Sequence, residues 1–147
     1  NGVIYGDSDN LFVAVGAEGM ILTSPTGTNW TTRSSPTSQT LRAVAYGTGT
    51  FIAVGDNGTI LTSPNGTTWT DVSPAYTNAL NGIAYGNNQF VAVGSGGIIL
   101  TSQDGPNWTI QGSGTTQTLR GITYGDNQFV AVGDNSTIVT GTGGSDW

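Results

Sequence analysis

Cysteine and histidine are both absent from the 147 residues. Without cysteine there are neither disulfides nor thiolate metal ligands. Without histidine, the commonest general base and the commonest metal ligand are missing. Lysine is absent too, leaving Arg33, Arg42 and Arg120 as the only basic side chains. Glu18 and eight aspartates oppose them and bring the net charge to −6. Phosphate backbones are bound by clustered Lys and Arg, so this balance excludes nucleic acid as a partner. Charged residues make up 8% of the chain, against roughly 25% in ordinary soluble domains. No apolar run approaches the roughly 18 residues of a membrane-spanning helix, and no signal peptide is visible. The chain opens on Asn1 in mid-repeat, as a processed or partial segment of a longer protein is expected to.

Glycine, threonine, serine and asparagine fill the space that charge leaves. A surface hydrated through hydroxyls and amides points to an extracellular or cell-surface location, although a turn-rich β-protein selects the same residues.

What is there is a repeat. Trp30, Trp69, Trp108 and Trp147 recur every 39 residues, as do Phe12, Phe51, Phe90 and Phe129, and Gly16, Gly55, Gly94 and Gly133. A fixed period of about 40 residues marks a repeat architecture in which each unit buries its apolar surface against its neighbours. The second unit starts at Leu41, the third at Leu80 and the fourth at Leu119, which stops at Trp147. Asn1 of the first unit matches Asn81, and the Asp7–Asn10 loop carries two extra residues.

In the third unit the apolar runs are Leu80 to Tyr85, Gln89 to Val93, Ile98 to Thr101 and Trp108 to Ile110. They are short, rich in β-branched and aromatic residues, and bounded by Gly, Asn or Asp, which predicts strands. Asn57-Gly58 and Gly96-Gly97 suit tight hairpins whose central residues need φ > 0. No segment carries a capped 3.6-residue period. Four antiparallel strands per unit describe a propeller blade. The sequence therefore predicts one all-β domain, a β-propeller with blades at about 1–40, 41–79, 80–118 and 119–147, the last lacking its outer strand. Small residues at Ala43, Ala45, Gly82, Ala84 and Gly121 place the first strand of each unit at the crowded centre.

The turn before each Trp reads Thr62-Ser-Pro-Asn-Gly66-Thr-Thr-Trp69 and Thr101-Ser-Gln-Asp-Gly105-Pro-Asn-Trp108, with Thr23, Gly27 and Trp30, and Thr140, Gly144 and Trp147, at the same spacing. This resembles the Asp-box hairpin of sialidase-like and related bacterial propellers. Together with GNNQFVAVG and TILTSPNGTTW it is also similar to the repeats of photosystem II assembly-factor-like propellers. The resemblance implies that the turn joins the third and fourth strands and that its Trp packs between blades. At the family's aspartate position stand Pro25, Pro64, Gln103 and Thr142, with Asp104 one residue later. The turn is therefore expected to be held by backbone bonds, the Thr hydroxyl and proline rigidity.

Sialidases resemble one another in using three arginines, a Tyr–Glu pair and an acidic aspartate. Here Glu18 is the only glutamate, at a hairpin turn equivalent to Asn57, and Arg42 and Arg120 share one position in alternate blades with no convergence on Arg33. That inventory predicts a protein without catalysis and without a cofactor.

Asn1, Arg42, Asn81 and Arg120 form one equivalent set at the start of the inner strand, which in a closed ring circles a channel mouth. They are either an anion or sugar-hydroxyl site or an ordinary polar rim. Ser38–Arg42 returns as Thr116–Arg120, and Val54–Asn57 as Val132–Asn135, so the underlying duplication is a two-blade unit. Asp7 and Asp9 are the only candidate metal ligands, in a loop lacking the Gly and the distal Glu of a Ca²⁺ loop. Asn29, Asn57, Asn65, Asn107 and Asn135 each start an acceptor sequon for glycosylation, a pattern that hairpins also select. Tyr5, Tyr46, Tyr85 and Tyr124 recur at every inner strand, which favours packing over a lectin role.

Three arrangements of the ends follow: a longer propeller, a four-bladed ring with a frayed last blade, or a neighbouring chain supplying the missing edges. Unpaired edges are association sites. The expected role is a self-assembling structural scaffold, as oligomer or filament. A carbohydrate- or protein-binding, adhesin-like module and a photosystem-assembly-like factor are the alternatives.

Overall fold

The computed structural model describes residues 1–7, 9–143 and 146–147. The first blade contains β1 (Gly2–Gly6), β2 (Leu11–Val15), β3 (Ile21–Ser24) and β4 (Thr31–Arg33). The second contains β5 (Leu41–Gly47), β6 (Thr50–Gly55), β7 (Ile60–Ser63) and β8 (Thr70–Asp71). The third contains β9 (Leu80–Gly86), β10 (Gln89–Gly94), β11 (Ile99–Ser102) and β12 (Thr109–Gln111). The fourth holds β13 (Leu119–Gly125), β14 (Gln128–Gly133) and β15 (Ile138–Gly141). Each is an antiparallel meander in chain order, so three sheets have four strands and the last has three.

The second strands of the two middle blades read as nearly unbroken apolar runs, Phe51-Ile-Ala-Val54 and Phe90-Val-Ala-Val93, because both faces of those blades are covered by neighbours. Alternation still assigns the faces. Val13, Val15 and Ile21 of the first blade meet Leu41, Val44, Phe51, Ala53, Leu61 and Trp69 of the second. Ala45, Ile52, Val54 and Ile60 of the second meet Leu80, Ile83, Phe90, Ala92 and Leu100 of the third. Val91, Val93 and Ile99 of the third meet Leu119, Phe129 and Ala131, with Ile122, Val139 and Trp147 packed against them. The core is thus three copies of one layer: a forward face of Val/Ile residues against a back face built on Phe. Register places Tyr5 opposite Phe12, Tyr46 opposite Phe51, Tyr85 opposite Phe90 and Tyr124 opposite Phe129. The paired rings lie 4.4 to 4.7 Å apart, centroid to centroid.

The turns between second and third strands take the conformation their sequence anticipates. Asn57 and Gly58 have φ of 55° and 68°, and the Thr59 amide donates to the Asp56 carbonyl at 3.1 Å. Glu18 stands at the Asn57 position with the same φ of 55°.

Inner strands β1, β5, β9 and β13 pack side by side in that order. The approach is close enough that a methyl on Gly2 would lie 3.0 Å from the Ala43 Cα, and one on Gly82 3.3 Å from the Gly121 Cα. That accounts for the small residues of these strands. No comparable contact joins β13 back to β1. The blades form an open arc, so the four-bladed closed ring is not what this chain adopts.

Candidate functional site

Two features of the arc are sites in waiting: the polar mouth at its centre and the apolar faces at its ends. Asn1, Arg42, Asn81 and Arg120 line one cavity of about 330 Å³. The asparagines reach across blade boundaries, with Asn1 Nδ2 donating to the Leu41 carbonyl at 3.0 Å and Asn81 Nδ2 to the Leu119 carbonyl at 2.8 Å. Each arginine instead turns to its own blade. Arg42 Nε donates to Asp56 Oδ1, while Arg120 grips Asp134 with Nε and Nη2. The Arg120 hydrogen bond raises the arginine's pKa and holds Asp134 below the usual carboxylate value. Each guanidinium is matched by a carboxylate, so the mouth offers hydrogen-bond donors and little net charge.

Asp56 and Asp134 were the partners sequence reasoning missed. The signal was present, since the blades that carry Arg at this position are the two that carry Asp at the following turn. Arg33 lies elsewhere, with Nε on Thr23 Oγ1 at 2.7 Å. A larger recess of about 660 Å³ beside the third blade's turn is lined by Asn78, Ile98, Ile110 and Ser113 among others, none of them charged.

Asp9 Oδ2 accepts a hydrogen bond from the Tyr46 hydroxyl of the next blade at 3.0 Å, and Ser8 between Asp7 and Asp9 lies outside the described residues. Among the described residues, no group of three or more His, Cys, Asp or Glu side chains is placed to share a metal ion. Asn29, Asn57, Asn65, Asn107 and Asn135 are all exposed. Three of them are engaged locally: Asn65 caps the Thr67 and Thr68 amides, Asn107 donates to Asp104, and Asn135 to Gln117.

The turns before Trp30, Trp69 and Trp108 are held differently from the sequence expectation. The serine after the Thr does the work, with Ser24 Oγ accepting from the Gly27 amide at 2.9 Å and Ser102 Oγ from the Gly105 amide at 2.8 Å. The serine faces the turn because alternation points the preceding threonine to the other side of the strand. Asn65 and Asp104 supply the side-chain cap, Asp104 Oδ1 accepting from the Asn107 amide at 3.0 Å. Hydrogen bonds from Asn107 lower the Asp104 pKa. Trp30, Trp69 and Trp108 close the turn by donating Nε1 to the carbonyls of Gly27, Gly66 and Gly105. The fourth turn contains Gly144, outside the described residues.

At the ends of the arc, equivalent positions lose their cover. Val132 and Ile138 of the fourth blade are 47% and 68% exposed, whereas Val54, Val93, Ile60 and Ile99 are all at 0%. On the opposite end Val3 is 62% and Trp30 39% exposed, against 8% for Val44 and 7% for Trp69. The fourth blade therefore presents a bare forward face and the first blade a bare back face.

Residues 2–109 match the family model of the DUF6242 beta propeller domain. The chain belongs to that family. No curated protein matches the sequence. Solved structures share the fold at low identity. The computationally designed Ika4 protein superposes with a TM-score of 0.76 at 17% identity, over 95% of this chain and 88% of Ika4. YCF48 from Cyanidioschyzon merolae superposes with a TM-score of 0.75 at 19% identity, over 99% of this chain and 53% of YCF48. The WD40 beta propeller domain of Doa1 gives 0.72 at 15% identity, over 95% of this chain and 49% of that one. This chain spans about half the length of the latter two. Another neighbour, with a TM-score of 0.68 at 18% identity, is YCF48 bound to D1 peptide.

Proposed function

We propose that this protein is a non-catalytic propeller scaffold, at the cell surface or outside the cell, that associates through its open blade faces. The observation that carries this reading is the pair of bare faces at Val132/Ile138 and Val3/Trp30, each equivalent to a surface buried elsewhere in the same chain. Exposed apolar patches of this kind mark interaction sites. The low charge and the hydroxyl-rich surface support an extracellular setting. Light scattering and electron microscopy of the purified chain test the reading. Oligomers or filaments are expected, and a strictly monomeric particle at micromolar concentration overturns it.

A second reading, a protein- or glycan-binding module, is favoured by the donor-lined mouth at Asn1, Arg42, Asn81 and Arg120. A fold neighbour captured with a peptide, YCF48 bound to D1 peptide, supports the protein arm and the photosystem-assembly-like variant of it. Acidic peptides and a glycan array test the mouth, and no binder in either set removes this reading. The Ser–Gly and Trp–Gly hydrogen bonds of the turns support kinship with Asp-box hairpins. The five exposed sequons support N-glycosylation, which intact mass of protein from its native source would reveal.

A further inference from the structure

We infer that the mouth formed by Asn1, Arg42, Asn81 and Arg120 binds a neutral saccharide, whose hydroxyl groups span an arginine of one blade and an asparagine of the next. This rests on the binding-module reading and names the ligand of that site.

Repetition brings the side chains to one place. Inner strands β5, β9 and β13 pack side by side in that order, so Asn81 stands between Arg42 and Arg120, and the three share one cavity with Asn1. Each asparagine is oriented by its donor end. Asn1 Nδ2 is spent on the Leu41 carbonyl and Asn81 Nδ2 on the Leu119 carbonyl, which leaves Oδ1 as the acceptor. Asn81 is half-buried, yet its Oδ1 has no partner among the described residues and is not closed off from solvent.

The arginines are the reverse. Arg42 uses Nε alone on Asp56, which leaves both Nη groups to donate. Arg120 uses Nε and Nη2 on Asp134 and keeps Nη1. A guanidinium carries only donors, whereas a hydroxyl both donates and accepts. Acceptor and donor therefore alternate from blade to blade around the mouth. Two neighbouring sugar hydroxyls match that alternation, one donating to an asparagine Oδ1 and the other accepting from a guanidinium.

Charge decides against the other small ligands. Each guanidinium already has a carboxylate at 2.5 Å, so an anion finds no unpaired charge in the mouth. It would also approach a chain of net charge −6, whose field repels it. A cation would meet two guanidiniums. The cavity of about 330 Å³ lies at the small end of the range for ligand pockets, which suits a single sugar ring. No apolar side chain lines it, so binding rests on hydrogen bonds exchanged with water, and affinity is expected in the millimolar range.

The test is an NMR titration of the purified chain with glucose, galactose, mannose and N-acetylglucosamine, beside acetate and phosphate at equal ionic strength. At least one neutral sugar is expected to shift the Asn81 side-chain amide and the Arg42 Nε–H saturably, with neither anion doing so. Asn81→Ala is expected to weaken the sugar by roughly fivefold, the scale of one hydrogen bond. That variant also releases the Leu119 carbonyl, so circular dichroism accompanies it. A second variant, Asp56→Asn with Asp134→Asn, frees both guanidiniums and is expected to tighten phosphate by roughly tenfold, the scale of a charge-assisted hydrogen bond. Sugar binding that a folded Asn81→Ala leaves unchanged would place the ligand elsewhere and overturn the inference. So would a double variant that binds phosphate no better than the parent chain. Acetate, phosphate or an acidic peptide bound in place of every sugar would overturn it and leave the binding-module reading standing. No binding by any of them would overturn both.

Discussion

Ile99 and Ile138 occupy the same position of successive blades, one fully buried and the other 68% exposed. Replacing each with alanine isolates what a neighbouring blade contributes. Ile99→Ala removes three carbons from a closed layer and leaves a cavity between the third and fourth blades, a class of change that costs ~2–5 kcal/mol. At Ile138 only about a third of the side chain is withdrawn from water within one chain. Three carbons at ~0.8 kcal/mol each, scaled by that third, amount to ~0.8 kcal/mol. The loss of a β-branched residue from a strand is common to both. The two variants should therefore differ by ~2–3 kcal/mol, or about 5–10 °C in Tm for a chain of this length. Urea unfolding followed by tryptophan fluorescence, at concentrations below association, measures the difference at unchanged m-value. As concentration rises, the cost at Ile138 should grow toward that at Ile99, because association stabilises only the folded form. Equal losses in the dilute chain would refute the assignment of Ile138 to half of an unfilled layer.

Ser102→Ala should destabilise by ~1–3 kcal/mol, since it strands the buried Gly105 amide, and calorimetry will read the shift. Gly114→Ala should cost only the left-handed penalty of ~1–2 kcal/mol, because its surroundings are open at φ 68°. Gly97→Ala should cost clearly more in the same denaturation assay, because its methyl would also overlap the Thr115 carbonyl. Hydrogen bonds from Asn107 and Arg120 lower the pKa of Asp104 and Asp134. The stability they contribute is complete above the unfolded value of ~3.9 and is lost as pH falls through the lowered folded values. Asp104→Asn and Asp134→Asn should therefore each flatten the acid limb of the stability–pH curve below about pH 4.

The blades were legible in the sequence because three signals agree at each 39-residue step: aromatic anchors, strand-length apolar runs and turns that tolerate positive φ. The mouth was legible as a set because repeat position alone aligns Asn1, Arg42, Asn81 and Arg120. Their division of labour was not, since it depends on which neighbour each side chain reaches. A short asparagine finds the carbonyl of the next blade, while a long arginine folds back to Asp56 or Asp134 within its own. The role of Ser24 and Ser102 was hidden for a related reason. Thr and Ser are adjacent in every turn, and only the strand's alternation decides which hydroxyl enters the loop.

Periodicity is also what makes the bare faces informative. In a chain of dissimilar elements, an exposed valine or isoleucine carries no message, because apolar atoms are common on every surface. Here each exposed position has buried equivalents in the same molecule, so what would cover it is known from its neighbours. Val132 is a Val54 without a third blade in front of it. A methyl on Gly47 would overlap the Tyr85 ring of the next blade, whereas nothing lies within 4 Å of one placed on the equivalent Gly125. A repeat that stacks on itself specifies the shape its bare faces fit, because the surface that adds one blade to the arc is the surface that would receive the next.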